Sequence, residues 1–230
     1  MRIRYLRRPP ARTAGRVYLL DLDNTLHEAS THILPEINRQ MTDYLARKLN
    51  VSREAASAAR TQYWQRYGAT LLGMMRHHGI NPHEFLAETH RFDDLKAVSR
   101  RHASVPHRLS RLNGLRVLLT NAPRAYATEV SKILGLHRHY HALVSIEDMV
   151  IHGAWRPKPT PILWPHLKAA LKSKRLLLVD DTLGHLHEAS RHGIQTSWIT
   201  LPGLGFVAHK PKGRVRSRIR QFEQIKRLKF

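Results

Sequence analysis

Cysteine is absent from all 230 residues, so disulfides, thiolate metal ligands and a cysteine nucleophile are excluded. A reducing compartment is the natural setting for such a chain. Acidic residues are also scarce, with 17 Asp and Glu against 39 Lys and Arg and a formal net charge of +22. No apolar run reaches 18 residues, so no transmembrane segment is expected. The basic start, with Arg7-Arg8-Pro9-Pro10, leads into no long apolar stretch before Asp21, which argues against a secretory or twin-arginine signal. These absences point to a soluble, cytoplasmic protein. Internal repeats and low-complexity segments are missing too. What is present is enough apolar material, 42% of residues, for a folded globule with a real core.

The positive charge is uneven. Residues 1–16 hold six Arg and no acid, and residues 209–230 hold nine Lys or Arg against Glu223, so the two ends carry 14 of the 22 net charges. Ends of this kind bind nucleic acid or anionic lipid through counterion release, or serve as solvated tails. Val215, Ile219, Phe222, Ile225 and Leu228 follow helical spacing. That spacing predicts an amphipathic helix, docked on the body or lying on a membrane surface.

Between the ends, Asp21-Leu22-Asp23-Asn24-Thr25 follows the apolar run Val17-Tyr18-Leu19-Leu20. The run reads as a buried strand, in which residues i and i+2 share a face. Asp21 and Asp23 then point into one space beyond the strand's C-terminal end, where open α/β sheets bind ligands. One carboxylate can serve as nucleophile and metal ligand while the other carries protons. The bland reading is a solvated acidic turn. Three further signals follow in order. Leu115–Leu119 runs into Thr120-Asn121; Lys158 sits in Arg156-Pro157-Lys158-Pro159; and Leu176–Val179 delivers Asp180-Asp181. Separately these read as a helix cap, a surface lysine and an acidic turn. Their joint occurrence in this order favours a site.

The periodicity predicts a strand at 17–21 and then a helical block from about 35 to 113, with helices opened by Pro35, Ser52 and Asn81-Pro82 and stops at Gly68 and Gly79. Strands at 115–120, 142–146, 175–180 and 195–199 then alternate with helices at 123–134, 161–172 and 183–192. Such alternation predicts a parallel sheet with right-handed crossovers. The expected fold is α/β, a Rossmann-like parallel sheet with a helical cap inserted after the first strand.

The chain resembles the haloacid-dehalogenase-like phosphohydrolases over about residues 16–205. Asp21-Leu22-Asp23-Asn24-Thr25-Leu26, Leu119-Thr120-Asn121-Ala122, Lys158-Pro159 and Val179-Asp180-Asp181-Thr182 carry the resemblance. It is similar in particular to the pyrimidine 5′-nucleotidase-like branch, through Thr120-Asn121-Ala122-Pro123 and the segment Gly68-Ala69-Thr70-Leu71-Leu72-Gly73-Met74. The resemblance implies a basic arm at 1–16, a core at 17–30 and 114–205, a helical cap at 31–113 and a basic C-terminal segment at 206–230. It implies Asp21 as the nucleophile and Asp23 as the acid and base. Mg²⁺ would be held by Asp21, the Asp23 carbonyl and Asp181, with Asp180 nearby. Lys158, Thr120 and Asn121 would contact the phosphoryl group, and Tyr67, Thr70 and Met74 of the cap would contact substrate. The implied substrate is a nucleoside monophosphate such as UMP or CMP. The alternatives are another small metabolite, such as a sugar phosphate or phosphoglycolate handled by a phosphatase or phosphomutase, and a polyanion-binding protein on the same scaffold. Hydrolytic dehalogenases of the superfamily lack the second carboxylate, which demotes dehalogenation.

One departure concerns the metal. Four residues after Asp181, where the family often has Asn or Asp, this chain has His185. Metal affinity is therefore expected to differ. Of the 17 histidines, His137, His139 and His141 alternate as a metal-binding strand would, yet no acid or cysteine cluster accompanies them. His77-His78 read as helix surface.

Overall fold

The run Val17-Tyr18-Leu19-Leu20 is apolar at every position, the pattern of a strand covered on both faces. In the computed structural model, which describes residues 3, 5–7, 15–101, 103–200 and 217–219, it forms β1 (Arg16–Leu20). β1 lies inside the sheet between β2 (Leu115–Leu119) and β6 (Arg175–Asp180), both parallel to it. Leu19 is opposite Val117 on one side and Leu178 on the other. β3 (Ala142–Val144) continues the sheet beside β2, and β7 (Gln195–Ile199) beside β6, giving the parallel order β3-β2-β1-β6-β7. Ser217–Ile219, β8 here, adds a sixth parallel strand beside β7. The fold is thus α/β, with a helical insert between β1 and β2 and one crossover helix each after β2 (α7, Arg124–Ile133) and β6 (α9, Leu183–Arg191).

Side chains two apart share a sheet face, and one face is closed by α8 (Leu163–Leu171) and α9. Leu19, Val117, Leu119, Val144, Leu178 and Trp198 meet Trp164, Leu167, Leu186 and Ala189 in one buried cluster. The alternate positions, Tyr18, Leu20, Leu118, Leu143, Leu177 and Val179, are also buried, which accounts for the unbroken apolar runs.

By internal contacts the chain divides into two compact units, Met1–Ala29 with Ser99–Phe230, and Ser30–Val98. The second is helical: α1 (Ile33–Leu49), α2 (Arg53–Tyr67), α3 (Thr70–His78), α4 (Pro82–Glu88) and α5 (Leu95–Val98). Local chemistry sets its boundaries. The Ser52 hydroxyl accepts from the Ala55 amide, and the Asn81 side chain accepts from the His83 and Glu84 amides. Gly68 ends α2 at φ 80° and Gly79 ends α3 at φ 59°, values that favour glycine. Gly73 has a different reason. A Cβ there would lie 2.3 Å from the Tyr63 ring, so its bare backbone lets α2 and α3 approach.

Several expectations need correction. Residues 99–113 lie with the first unit, where they form α6 (Val105–Ser110). The strand expected over 142–146 stops at Val144, because Ser145 and Asp148 cap each other and start a 3₁₀ turn at Ile146–Asp148. A hairpin, β4 (Val150–Ile151) with β5 (Ala154–Trp155), follows unannounced. Its strands are too short for periodicity, and His152 and Gly153 turn it with positive φ at both positions. Helical spacing misleads at Ser217–Ile219, which is strand; the rest of that expected amphipathic helix lies outside the described residues. At the other end, part of the expected arm is docked: Tyr5 bridges Ala142 and Ile3 joins the buried cluster. Most of its arginines lie outside the described residues. No helix among the described residues is long and apolar enough to cross a membrane.

Two substitutions test this account by urea denaturation. Leu19→Ala, in the centre of the sheet, should cost about 2–5 kcal/mol, whereas Ser52→Ala should cost only about 1 kcal/mol through the lost cap.

Candidate active site

Where β1 ends, the ladder continues for one residue, with the Asp21 amide donating to the Val179 carbonyl at 3.0 Å. The chain then folds back on itself. Thr25 and Leu26 amides both donate to the Leu22 carbonyl, and Asn24 takes φ 58°, a left-handed value that asparagine tolerates. The Asn24 side chain accepts from the Ala29 amide, and the turn returns the Thr25 hydroxyl to Asp21 Oδ2 at 3.0 Å.

Lys158 comes from the loop after β5 and is completely buried. Its backbone is clamped by Asn121, the second residue after β2: the Lys158 amide donates to Asn121 Oδ1 at 3.0 Å, and Asn121 Nδ2 donates to the Lys158 carbonyl at 2.8 Å. The Lys158 ammonium then donates to Asp21 Oδ1 at 2.8 Å and Asp180 Oδ2 at 2.7 Å. Asp180, the last residue of β6, also accepts from the Thr182 amide, and His185 Nδ1 lies 3.0 Å from both its oxygens. Asp181 is held beside it, with Thr182 Oγ1 on its carboxylate and Trp198 Nε1 on its carbonyl.

The carboxylates are electrostatically unequal. Burial would raise Asp180, but His185 and Lys158 outweigh it and hold that carboxyl well below the ordinary range. Asp21 is pushed up to about 6, because burial, Asp180 and Asp23 together exceed the opposing pull of Lys158. Burial and the Asp21 and Asp180 charges raise Asp181 as well. Burial would lower Lys158, yet the two carboxylates raise it, so it stays charged. One ammonium thus faces three carboxylates. Asp21, Asp180 and Asp181 each offer an oxygen within 4.8 Å of the others, a set of hard donors with spare negative charge that fits Mg²⁺. Among the described residues no histidine joins such a group.

The other expected site residues are placed as follows. Asp23 Oδ1 meets His27 Nε2 at 2.8 Å and the Tyr126 hydroxyl at 2.7 Å, two neighbours that sequence reasoning missed. The Thr120 hydroxyl accepts from the Ala122 amide. Asn121 uses both ends of its amide on Lys158, a scaffolding contact that no local pattern announces. His185, the departure from the family pattern, is a direct partner of Asp180. In the helical unit, Met74 is fully buried and the Thr70 hydroxyl donates to the Arg60 carbonyl. Tyr67 pairs through its hydroxyl with His77, and Tyr63 with His78. His141 accepts from the Arg116 amide, a structural bond within the sheet region.

A family model described as haloacid dehalogenase-like hydrolase matches residues 16–193. Among solved structures, the chain is similar to a phosphatase of that superfamily from Thermococcus onnurineus, at TM-score 0.61 and 17% identity over 92% of this chain and 96% of that one. It is similar to a predicted phosphoglycolate phosphatase from Haemophilus somnus, at TM-score 0.58 and 15% identity over 95% and 99%. It is also similar to an L-2-haloacid dehalogenase from Xanthobacter autotrophicus with chloropropionic acid covalently bound, at TM-score 0.56 and 11% identity over 92% and 97%. At these identities the likeness is one of fold.

Stability of the metal-free protein should report this electrostatic balance. Because Asp21 lies near 6 rather than 3.8, the folded state keeps a proton that the unfolded chain releases between those values. Its contribution is full below the unfolded value and is lost as pH rises through about 6. In EDTA, Asp21→Asn should therefore gain stability relative to the parent from pH 4 to pH 7, by up to about 3 kcal/mol, and Mg²⁺ should close the gap. Lys158→Met should cost about 3–5 kcal/mol at pH 7 by stranding buried carboxylates. Denaturation curves at the two pH values check both.

Proposed function

Because the chain belongs to the haloacid dehalogenase-like hydrolase family, we propose that it is a Mg²⁺-dependent phosphomonoesterase that works through an aspartyl-phosphate on Asp21. The observation that carries this reading is the buried Lys158 ammonium, shared by Asp21 and Asp180 beside Asp181, with Asp23 two residues from the nucleophile.

A phosphate monoester resists attack because its oxygens repel nucleophiles and its alkoxide leaves poorly. Asp21 attacks phosphorus in line, and the bond to the leaving oxygen breaks as Asp23 gives that oxygen a proton. Water then attacks the phosphoryl group, Asp23 takes its proton, and Asp21 is released as a carboxylate. Lys158 keeps positive charge against Asp21 throughout and favours its ionised, nucleophilic form. Asp21, Asp181 and the Asp23 carbonyl would hold Mg²⁺, with Asp180 nearby; when bound, the ion neutralises charge on the phosphoryl oxygens. The Mg²⁺ charge would also lower Asp21 from about 6 and make the nucleophile available at neutral pH. Thr120 donates to the phosphoryl oxygens, and Asn121 supports them by fixing Lys158. Asp23 favours phosphate over halide chemistry, since a halide leaves without a proton.

For substrate, the Asp-Leu-Asp-Asn-Thr-Leu start, the Thr120-Asn121-Ala122-Pro123 motif and the Gly68–Met74 segment support a pyrimidine nucleoside 5′-monophosphate. Of Tyr67, Thr70 and Met74, the proposed contacts in the helical unit, Tyr67 alone is only part-buried, with its hydroxyl on His77.

A screen of phosphate esters with Mg²⁺ and with EDTA tests the reading. Hydrolysis should require the metal and favour UMP or CMP; a preference for a sugar phosphate or phosphoglycolate would replace the substrate and keep the chemistry. Asp21→Asn should abolish turnover while the protein remains folded, and the parent should yield a hydroxylamine-labile phosphoenzyme. Tyr67→Ala should reduce kcat/KM for the nucleotide more than for a small generic ester. Equal losses for both would make Tyr67 structural.

A further inference from the structure

His27 is the fourth residue after Asp23, returned to it by the turn at Leu22–Leu26, and its side chain is wholly buried. Tyr126 arrives from α7, 103 residues away, and is also buried. Both meet the same oxygen, Oδ1 of Asp23, at 2.8 and 2.7 Å. The Tyr126 hydroxyl donates, and burial with the nearby carboxylate pushes its ionisation well up, so it remains a donor. On the imidazole, Nδ1 is buried with no hydrogen-bond partner among the described residues. A proton there would be an unsatisfied buried donor, a costly state, so the ring proton belongs on Nε2. Two donors therefore converge on Oδ1. A proton of the carboxyl itself cannot share that oxygen without opposing one of them.

We propose that His27 and Tyr126 are positioning residues for Asp23, fixing the plane of its carboxyl and directing the transferable proton to Oδ2. This rests on the reading of Asp23 as the proton carrier of the hydrolase. The pair comes from two different segments, one local to the nucleophile and one from the helix after β2. Rotation of the Asp23 carboxyl would break both bonds together. The geometry thus presents the acid in one orientation before substrate arrives, which matters most when the departing oxygen is a poor leaving group.

The test compares 4-nitrophenyl phosphate, whose leaving oxygen needs little protonation, with a nucleoside 5′-phosphate, whose alkoxide needs it. Tyr126→Phe and His27→Leu should each lower kcat/KM for the nucleotide about ten- to a hundredfold, a share of what a positioned acid supplies. The same variants should change the nitrophenyl ester about threefold or less, since little acid assistance is used there. His27→Gln, which returns an amide donor near the Nε2 position, should recover most of the loss. Equal losses on both esters, or none on either, would overturn the proposal. If His27→Leu does not fold, Tyr126→Phe and His27→Gln decide the matter. A parent protein inert toward both esters would sink the hydrolase reading and this one with it, whereas an active parent with unselective variants sinks this one alone.

Discussion

A fully buried ammonium held between two carboxylates is the constraint around which this site is arranged. Lys158 is tolerable in the interior only because Asp21 and Asp180 both reach it, and those residues end two neighbouring strands. The converse holds equally. Two strand-terminal carboxylates in one dry corner repel each other, and the lysine makes their proximity affordable. The clamp by Asn121, the His185 contact to Asp180 and the Thr25 contact to Asp21 all hold members of this triad in place. Even so, burial and mutual repulsion keep Asp21 and Asp181 raised. That crowding of three carboxylate oxygens, a set that fits a divalent ion, distinguishes the site from an ordinary buried salt bridge.

The helical unit has a different logic. Its ends are fixed by side chains and glycines acting within a few residues, and its interior packs on Tyr44, Phe85 and Met74. The Gly68–Met74 segment, which catches the eye as a motif, has mechanical duties first. Gly68 closes one helix, Gly73 makes room for the Tyr63 ring, and Met74 fills the interior. A pattern in sequence that reads as a motif can therefore mark packing.

The strands and their order of use were legible because a two-sided sheet demands apolar residues at every position, and Leu176–Val179 or Leu115–Leu119 have no other simple reading. Helix limits at Ser52, Gly68, Gly79 and Asn81 were legible for the same local reason that forms them. The acidic residues of the site stood out because charge directly after an apolar strand is conspicuous, and Lys158 because prolines flank it in a loop. The β4–β5 hairpin left no signal, since two-residue strands have no period. His27 and Tyr126 were missed for another reason. Each is unremarkable beside its sequence neighbours and gains meaning only when 103 residues of intervening chain bring them to one oxygen. Asn121 shows a related gap: its residue type suggested a ligand contact, whereas its bonds to Lys158 depend on a loop 37 residues on. The C-terminal spacing at Val215 and Ile219 fitted a helix, but strand pairing with β7 decided the conformation of Ser217–Ile219.

The position of β1 inside the sheet has a consequence for the order in which the protein can assemble. β1 is paired on one side by residues about 100 positions later and on the other by residues about 160 positions later. Until β6 has been made, Lys158 has no Asp180 to share with Asp21, and one edge of β1 lacks its neighbour. The site is therefore complete only when the sheet closes on both sides of β1, which ties it to the longest-range pairing among the described strands.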